Sequence, residues 1–327
     1  MDLYYICLII LSDIKNNGYK MDLIAEINKL KKEKNAVILT HCYQNIELDE
    51  VSDFVGDSLY LSRAAAKTNA DIIVFAGVYF MAQSAKLLSP DKKVLLPNMS
   101  SGCLMADMID VDNLRKFKAE NPDLTTVCYI NSTAEVKAEC DICCTSSNAV
   151  EIVKSLNKDK ILFVPDTYLG KWVEKSLKNV EVITFNGFCP THLRIRIEDI
   201  NSARAKYPEA LILAHPECHC EVSKLADFVG STKEIMDFAV KSDCKQFVIA
   251  TEKGVVDRLN RDSIKNNWGK EFILINDNII CPNMKHNTLE DIYNVLVNET
   301  NEINVDVNIA NKARKCIDKM LLLNVNK

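Results

Sequence analysis

The stretch "THCYQNIELDEVSDFVGDSL" at residues 40–59 follows a short apolar run and has two counterparts further along the chain. The counterparts are "YINSTAEVKAECDICCTSS" at 129–147 and "HPECHCEVSKLADFVGST" at 215–232. Each stretch opens with polar residues at positions i and i+2 and carries an acid five residues before a hydroxyl. The leading polar residues are 88 and then 86 residues apart, and so are the acids. An offset shared by two features indicates an internal repeat.

The polar residues of the repeat are expected at the ends of strands. The leading pairs are His41 and Tyr43, Tyr129 and Asn131, and His215 and Glu217; the acids are Asp53, Asp141 and Asp227. The hydroxyl residues Ser58, Ser146 and Thr232 each precede a helical stretch, so we predict that they are helix N-caps.

Two further apolar runs follow the first strand and helix of each repeat. The second runs are "DIIVFAG" (71–77), "KILFVPD" (160–166) and "QFVIATE" (246–252), and the third runs are "KVLLPN" (93–98), "VEVITFNG" (180–187) and "EFILIND" (271–277). Short β-branched runs that alternate with amphipathic stretches are typical of βαβ units and a parallel sheet. We therefore predict an α/β fold of three homologous αβα domains with parallel sheets around a pseudo-threefold axis.

Polar stretches near 112–124 and 200–209 suggest where the domains meet. We predict an N-terminal extension at 1–20, α/β repeats at 21–115, 116–205 and 206–305, and a C-terminal helix at 306–327. Ligands of parallel α/β sheets bind beyond the carboxyl ends of the strands. Three such edges around one axis would therefore line a single central site.

Composition excludes some classes of protein. The net charge of −5 gives no basic field, which argues against nucleic acid as a partner. The N-terminal apolar run is about nine residues long, too short to span a bilayer, and no basic residue precedes it as in a secretion signal. Thirteen cysteines without such a signal favour a reducing cytoplasm, where thiols bind metals or clusters more often than they form disulfides.

One cysteine stands just after the third apolar run of each repeat: Cys103, Cys189 and Cys281, separated by 86 and 92 residues. The predicted axis would bring these three thiols together, and converging thiolates suit a soft metal or an iron–sulfur cluster. Three ligands would leave one iron of a cluster open, and an open iron can bind a substrate atom as a Lewis acid.

The other cysteines have simpler interpretations. We expect a packing role for Cys140, Cys143 and Cys144 on or beside a helix, and we expect Cys7, Cys128, Cys244 and Cys316 to be small core residues. The run "PECHCEV" suggests zinc binding by Cys218, His219 and Cys220, but a closed zinc site needs four ligands and no partner pair at ligand spacing is evident.

Several long motifs, in order over residues 21–305, resemble the quinolinate synthase family, iron–sulfur enzymes of de novo NAD biosynthesis. The motifs are "HCYQ", "DFVGDSLYLSR", "VYFMAQSAKLLSPDKKVLLP", "YINSTAEVKAECDICCTSSNAV", "PDTYLG", "GFCPTHLRI", "HPEC" and "CPNM…TLE". The resemblance implies three α/β domains and one 4Fe–4S cluster held by Cys103, Cys189 and Cys281. It also implies condensation of iminoaspartate with dihydroxyacetone phosphate to quinolinate, phosphate and water.

The chain departs from the family pattern at three places. Cys42 stands where the family usually has a tyrosine, and Gln83 stands where a glutamate is common. The last ligand reads Cys281-Pro-Asn-Met284, so the C-x-x-C redox pair of some members is absent. None of these changes falls on a ligand position. An aspartate-oxidising enzyme that supplies iminoaspartate is a candidate partner, although nothing in the sequence points to one.

Both implied substrates are anionic, and helix N-termini near Ser58, Ser146 and Thr232 would hold carboxylate or phosphate without a lysine. His41, His192 and His215 are three of five histidines and all lie in the motifs. Glu217 would act with His215 as the general base, Tyr43 and Tyr129 would donate to oxyanions, and Asn131 would orient a carboxylate.

Two other classes of function stay open at this point. A noncatalytic iron–sulfur sensor would bind a cluster but would not need His215 and Glu217. A phosphosugar enzyme with structural cysteines would stay active after removal of iron. The sequence leaves the oligomeric state, the source of iminoaspartate and the order of condensation steps undetermined.

Overall fold

The computed structural model describes residue 18 and residues 20–323, so the predicted N-terminal extension lies, except for residues 18 and 20, outside the described residues. Three parallel sheets of four strands each make up the centre of the fold. The strands are β1 (Ala36–His41), β2 (Phe54–Gly56), β3 (Ile72–Ala76), β4 (Lys93–Leu95), β5 (Thr125–Tyr129), β6 (Ile142–Cys144), β7 (Lys160–Val164), β8 (Glu181–Thr184), β9 (Leu211–Ala214), β10 (Phe228–Val229), β11 (Gln246–Ala250) and β12 (Glu271–Leu274).

The three sheets have the same topology. Their strand orders are β2-β1-β3-β4, β6-β5-β7-β8 and β10-β9-β11-β12, and every pairing is parallel. In each sheet the first strand lies between the second and third, so the chain reverses its direction of winding beside the first strand. This arrangement confirms the predicted α/β fold with three repeated sheets.

Helices follow the strands as the βαβ pattern predicts. They are α1 (20–33), α2 (Ser58–Lys67), α3 (Tyr79–Leu88), α4 (Val111–Glu120), α5 (Ala134–Ala138), α6 (Ala149–Ser155), α7 (Thr167–Leu177), α8 (Pro190–Leu193), α9 (Ile197–Lys206), α10 (Cys220–Leu225), α11 (Thr232–Lys241), α12 (Lys253–Lys265), α13 (Leu289–Asn298) and α14 (Val307–Leu323). Within residues 20–323, no helix has the length and apolar character needed to cross a membrane.

Each sheet contains one short strand that the apolar runs do not reveal. These strands, β2, β6 and β10, are two or three residues long and pair only with the first strand of their repeat. Cys143 and Cys144 lie in β6 and not on a helix, but β6 packs against α14 and both residues are fully buried, as a packing role requires. Of the predicted core cysteines, Cys128 and Cys316 are buried, Cys244 is only half-buried, and Cys7 lies outside the described residues.

The repeated acids are structural ties between the first and second strands. The Oδ2 atoms of Asp53, Asp141 and Asp227 accept the backbone N–H of Ile38, Thr126 and Ile212 at 2.8, 2.8 and 2.7 Å. In return, the backbone N–H of each aspartate donates to the carbonyl of the same strand residue. The carboxylate thus extends the ladder beyond the short strand, which explains why the acid recurs at a fixed distance from the strand.

The predicted N-caps are wrong by a residue or two. The cap of α2 is Asp57, whose carboxylate accepts the N–H of Tyr60, and the cap of α11 is Ser231, whose hydroxyl accepts the N–H of Glu234. Ser58 and Thr232 are therefore the first residues of their helices. Ser146 lies two residues before Asn148, the N-cap of α6, which makes no side-chain cap hydrogen bond.

The last two helices return to earlier repeats. Helix α13 packs with α1 on the first sheet, where its Ile292 and Leu296 are fully buried in one apolar cluster with Ile27 and Ile38. Helix α14 packs on α5 and β6 of the second repeat. The domain boundaries predicted at 115/116, 205/206 and 305/306 stay predictions.

Candidate active site and metal centre

One cavity of about 100 Å³ lies where the carboxyl ends of the three sheets meet. Its lining includes all thirteen residues that the sequence nominates, namely His41, Tyr43, Ser58, Cys103, Tyr129, Asn131, Ser146, Cys189, His192, His215, Glu217, Thr232 and Cys281. Every repeat contributes to this lining. The volume admits several water molecules or a small acid.

The three cysteines stand at equivalent places on this cavity. Cys189 immediately precedes α8, Cys281 immediately precedes a one-turn 3₁₀ helix at Pro282–Lys285, and a proline at the first helical position follows both. Proline suits that position because its missing N–H would be unpaired there anyway. Cys103 is followed by a shorter 3₁₀ turn at Ala106–Met108. All three thiols are half-buried.

Buried carboxylates lie beside the backbone at two of these cysteines. Glu252 Oε1 accepts the backbone N–H of Cys281 at 3.2 Å, and the Asp166 carboxyl lies near the backbone N–H of Cys189. Gly187 lies two residues before Cys189, and a Cβ there would come within 2.5 Å of the Pro165 carbonyl oxygen. The chain can therefore approach β7 closely enough to present Cys189 only because residue 187 is glycine.

The thiols need a cation to become thiolates. Burial raises the pKa of Cys103 to about 12 and raises those of Cys189 and Cys281, and the charges of neighbouring thiolates add to the rise at Cys103 and Cys189. Without a metal these thiols stay protonated at neutral pH. Three sulfur donors that face one cavity and disfavour each other's charge suit a soft metal or an iron–sulfur cluster.

Glu217 lies at the centre of the polar side chains. Its Oε1 accepts the Tyr129 hydroxyl at 2.5 Å and its Oε2 accepts Nδ1–H of His192 at 2.8 Å. Burial acts to raise the pKa of Glu217, but the imidazoles of His215 and His192 and the Tyr129 hydrogen bond outweigh it and lower that pKa to about 2. Glu217 is thus a buried carboxylate that stays ionised at neutral pH.

A chain of hydroxyl groups continues from His192 to the first repeat. His192 Nε2 accepts the Thr251 hydroxyl at 2.8 Å, and the Tyr43 hydroxyl lies 2.9 Å from Thr251 Oγ1 and 2.8 Å from Thr232 Oγ1. Burial raises the pKa values of Tyr43 and Tyr129 well above their ordinary range, with the Glu217 charge adding to the effect. Both tyrosines therefore stay protonated and can donate.

His41 and His215 share one tautomer. Nδ1 of each accepts the backbone N–H two residues on, from Tyr43 at 3.1 Å and from Glu217 at 3.3 Å. The proton of the neutral ring is therefore on Nε2, which in His215 lies 3.3 Å from Ser146 Oγ. Burial lowers the pKa of both histidines to about 3, and at His41 the Arg258 charge contributes. Both rings are neutral N–H donors at pH 7.

Two further predicted residues, Asn131 and Thr232, line the cavity, although the Thr232 hydroxyl already contacts that of Tyr43. The Asn131 side-chain oxygen is buried without a hydrogen-bond partner, although the cavity reaches this residue. Thr232 begins the ten-residue helix α11, whose N-terminus faces the cavity through that residue.

Sequence reasoning missed Asp166, Thr251 and Glu252. Asp166 and Glu252 are fully buried N-caps of the helices after β7 and β11, and Val78 is the N-cap after β3. The three positions are 88 and 86 residues apart, the spacing of the leading polar residues. The repeat spacing could therefore have identified Asp166 and Glu252 as equivalent positions. The first repeat has the apolar Val78 at this position, so the sequence does not show a polar residue three times. Glu252 also pairs with Lys285 at 3.1 Å.

One other grouping of donor atoms exists at the cavity. Ligand atoms of Cys189, His192 and Glu217 all lie within 4.8 Å of one another, a spacing compatible with a single metal ion. His192 Nδ1 is 3.2 Å from Cys189 Sγ, so this trio competes with a cluster for Cys189. Measurement of the iron content separates the two arrangements.

Three parallel α/β repeats around a thiol-lined central cavity define an α/β protein with a candidate active site at the junction of its repeats. A family model described as quinolinate synthetase A protein matches residues 25–322. The chain therefore belongs to the quinolinate synthetase A family and is an enzyme of NAD biosynthesis; the family consists of iron–sulfur enzymes.

Curated relatives agree with this family. A quinolinate synthase of Caldicellulosiruptor saccharolyticus is 51% identical over 298 residues, which cover 91% of this chain and 97% of the relative. A quinolinate synthase of Alkaliphilus metalliredigens is 52% identical over 300 residues, with coverage of 92% and 98%. That of Aquifex aeolicus is 46% identical over 307 residues, with coverage of 92% and 94%.

Proposed function

We propose that this chain condenses iminoaspartate with dihydroxyacetone phosphate to form quinolinate, phosphate and water. The observation that carries the proposal is the single cavity, because thirteen residues chosen from three distant parts of the chain line it together. In this proposal the enzyme works in the reducing cytoplasm, where free thiols persist.

Cys103, Cys189 and Cys281 would hold one 4Fe–4S cluster. When bound, such a cluster with three protein ligands supplies an open iron that acts as a Lewis acid. The position of the thiols supports this assignment, because each repeat contributes one of them to the same cavity.

Glu217 would be the general base. It is ionised and buried, and its two hydrogen bonds hold its oxygens in place. Tyr129 and His192 already donate to this carboxylate, so they orient it towards the substrate and do not accept its proton. Removal of one general base typically lowers the rate by about a hundredfold or more.

The neutral donors would bind and polarise the substrates. Nε2–H of His41 and of His215 and the hydroxyl of Tyr43 would provide uncharged hydrogen bonds to carboxylate, carbonyl or phosphate oxygens, whereas the Tyr129 hydroxyl contacts the substrate while it donates to Glu217. The N–H groups at the start of α2 and α11, beside Ser58 and Thr232, would add partial positive charge. Asn131 and Ser146 would complete the anion contacts on the side of the second repeat.

Cysteine variants purified anaerobically test the cluster and the reaction together. Cys103→Ala, Cys189→Ala and Cys281→Ala should each contain little iron and form no quinolinate, because a two-ligand cluster is easily stripped. Cys218→Ala and Cys220→Ala are matched controls and should retain about four iron atoms per chain with the visible absorption of a cluster.

Two outcomes would contradict the proposal. An iron content near one atom per chain that also disappears in His192→Ala would favour the mononuclear site of Cys189, His192 and Glu217. A requirement for Cys218 or Cys220, with one of the three proposed ligands dispensable, would show that the repeat argument chose the wrong thiols.

A further inference from the structure

A second group of thiols lies in the second repeat, between β5, β6, α5 and α14. The Cys128 sulfur lies beside those of Cys140 and Cys143, and Cys143 Sγ is 3.3 Å from Cys316 Sγ. None of these four residues lines the active-site cavity. Cys128, Cys143 and Cys316 are buried, whereas Cys140 is half-buried.

A fully buried lysine stands beside these thiols. Lys137 is 0% exposed, its ammonium donates to the Ser132 carbonyl, and it lies 5.4 Å from the centre of the Phe80 ring. One carbonyl and one ring do not neutralise a buried charge, which needs an anion nearby. Burial lowers the pKa of Lys137, while thiolate charge from Cys143 and Cys128 opposes that change.

The thiols supply the anion. Hydrogen bonds from Cys140 and Cys143, followed by the Lys137 charge, lower the pKa of Cys128 well below that of a free thiol. Among the described residues no three of these four sulfurs lie within 4.8 Å of one another, so they form a row and not a closed metal cage. A row of thiols around one ammonium–thiolate pair is suited to thiol–disulfide chemistry.

We propose that Cys128, Cys140, Cys143, Cys316 and Lys137 form a second reactive site, at which peroxide oxidises Cys143 and Cys316 to a reversible disulfide. The geometry assigns the pair, because the Sγ atoms of Cys143 and Cys316 are already in contact. Cys128 is the thiolate that reacts first with peroxide and leaves when the final disulfide forms. This site is independent of the proposed synthase reaction.

The steps balance with hydrogen peroxide as the oxidant. The Cys128 thiolate attacks peroxide, so that the O–O bond breaks and a Cys128 sulfenic acid and hydroxide form. Hydroxide takes the Cys143 proton and leaves as water, and the Cys143 thiolate attacks the Cys128 sulfur, so that the S–O bond breaks and a second hydroxide is released. This hydroxide takes the Cys316 proton and leaves as water, and the Cys316 thiolate attacks the Cys143 sulfur, so that the Cys128–Cys143 bond breaks and Cys128 leaves as a thiolate. Two thiols are oxidised and one peroxide is reduced.

The location gives the disulfide a structural consequence. Cys143 lies in β6, which leads directly into Thr145 and Ser146 on the wall of the active-site cavity, and Cys316 lies on α14. The bond therefore ties the C-terminal helix to the strand that positions this wall. Peroxide is about the size of water and reaches the row at the half-buried Cys140.

Peptide mapping of the full-length protein after hydrogen peroxide treatment tests the proposal. A cross-linked pair of peptides containing Cys143 and Cys316 should appear, vanish on addition of dithiothreitol, and be absent from Cys143→Ser and Cys316→Ala. Lys137→Met should form the same pair at least about tenfold more slowly at neutral pH, because it lacks the charge that favours a thiolate. Cys244→Ala, at a half-buried cysteine outside the row, is the control and should oxidise like the unaltered chain.

The proposal fails if these two peptides remain reduced under conditions that oxidise Cys220 or Cys244. It also fails if Cys143 pairs with Cys128 or Cys140 instead, or if Lys137→Met oxidises at the normal rate. Because the readout is the peptide pair, loss of the iron–sulfur cluster to peroxide does not affect the result.

Discussion

At the scale of single residues, the fold offers one set of positions three times and fills each position differently. The residue at the end of the first strand is histidine, tyrosine and histidine, and two residues later it is tyrosine, asparagine and glutamate. Only the third repeat provides a carboxylate, Glu217, at that second position, and donors from the second repeat surround it. Threefold geometry thus produces an asymmetric site, which suits the proposed reaction between two different substrates.

Glu217→Gln should separate catalysis from cluster assembly. The amide keeps the shape of the side chain but cannot accept a proton, so we expect kcat for quinolinate formation to fall by at least about a hundredfold. Iron content and visible absorption should stay normal, because Glu217 is not a proposed ligand. Glu221→Gln, at an exposed glutamate beside His219, is the control. Normal turnover by Glu217→Gln would remove this residue from the role of base.

At the scale of elements, the aspartate ties explain how strands of two or three residues persist. Such strands make few ladder hydrogen bonds, and the paired contact between carboxylate and backbone adds two at the end of each. Among the three, Asp53 also pairs with Lys31 and Asp227 with Arg204, both at 2.8 Å.

Asp141→Ala should leave the buried N–H of Thr126 without its acceptor. We expect the free energy of unfolding to fall by about 1–3 kcal/mol, as measured by chemical denaturation. Asp141→Asn retains an acceptor oxygen and should lose less. Asp112→Ala removes an 85% exposed side chain on α4 and should change stability by less than about 0.5 kcal/mol. Equal effects of Asp141→Ala and Asp112→Ala on the free energy of unfolding would show that the Asp141 carboxylate does not stabilise the pairing of its two strands.

Glu299, at the end of α13, should make stability depend on pH in acid. Its carboxylate contacts Lys34 at 2.7 Å and Lys93 at 2.5 Å, and these hydrogen bonds lower its pKa from 4.5 to about 2. A lowered folded-state pKa gives stability that is present above the unfolded-state pKa and is lost as pH falls from about 4.5 towards 2.

Melting temperatures over this pH range test the role of Glu299. Glu299→Gln should melt below the unaltered chain at neutral pH, and the difference should shrink as the pH falls through the window. Glu290→Gln, at an exposed glutamate of the same helix, should keep a constant difference. If the difference in melting temperature between Glu299→Gln and the unaltered chain did not change with pH, the ion pairs of Glu299 would contribute nothing to stability.

At the scale of the whole molecule, the C-terminal part of the chain joins the repeats. After the third sheet, α13 returns to the first sheet and α14 to the second, and α14 also contacts α3. The apolar cluster that contains Ile317 of α14 continues through the first and second repeats. The active-site cavity depends on this assembly, because each repeat supplies only part of its wall.

Ile317→Ala should therefore weaken the whole fold although it lies near the end of the chain. Its side chain is 0% exposed, and truncation of such a residue costs about 2–4 kcal/mol. Leu322→Ala, at a residue of the same helix that is 73% exposed, should change the unfolding free energy by less than about 0.5 kcal/mol. The comparison is made by thermal or urea unfolding, and similar values for the two variants would place α14 outside the core.

The sequence by itself determined the threefold α/β repeat, the long strands and helices, and which cysteines and polar residues lie at strand ends. Those features are local and periodic, and the repeat spacing brings them to one place once the sheets form. Only the tertiary structure decided the short strands, the helix caps, the partners of Glu217 and the sheets that α13 and α14 cover. An apolar helix face such as Ile292 and Leu296 predicts burial but does not select one of three similar sheets, because that choice depends on contacts between residues far apart in the chain.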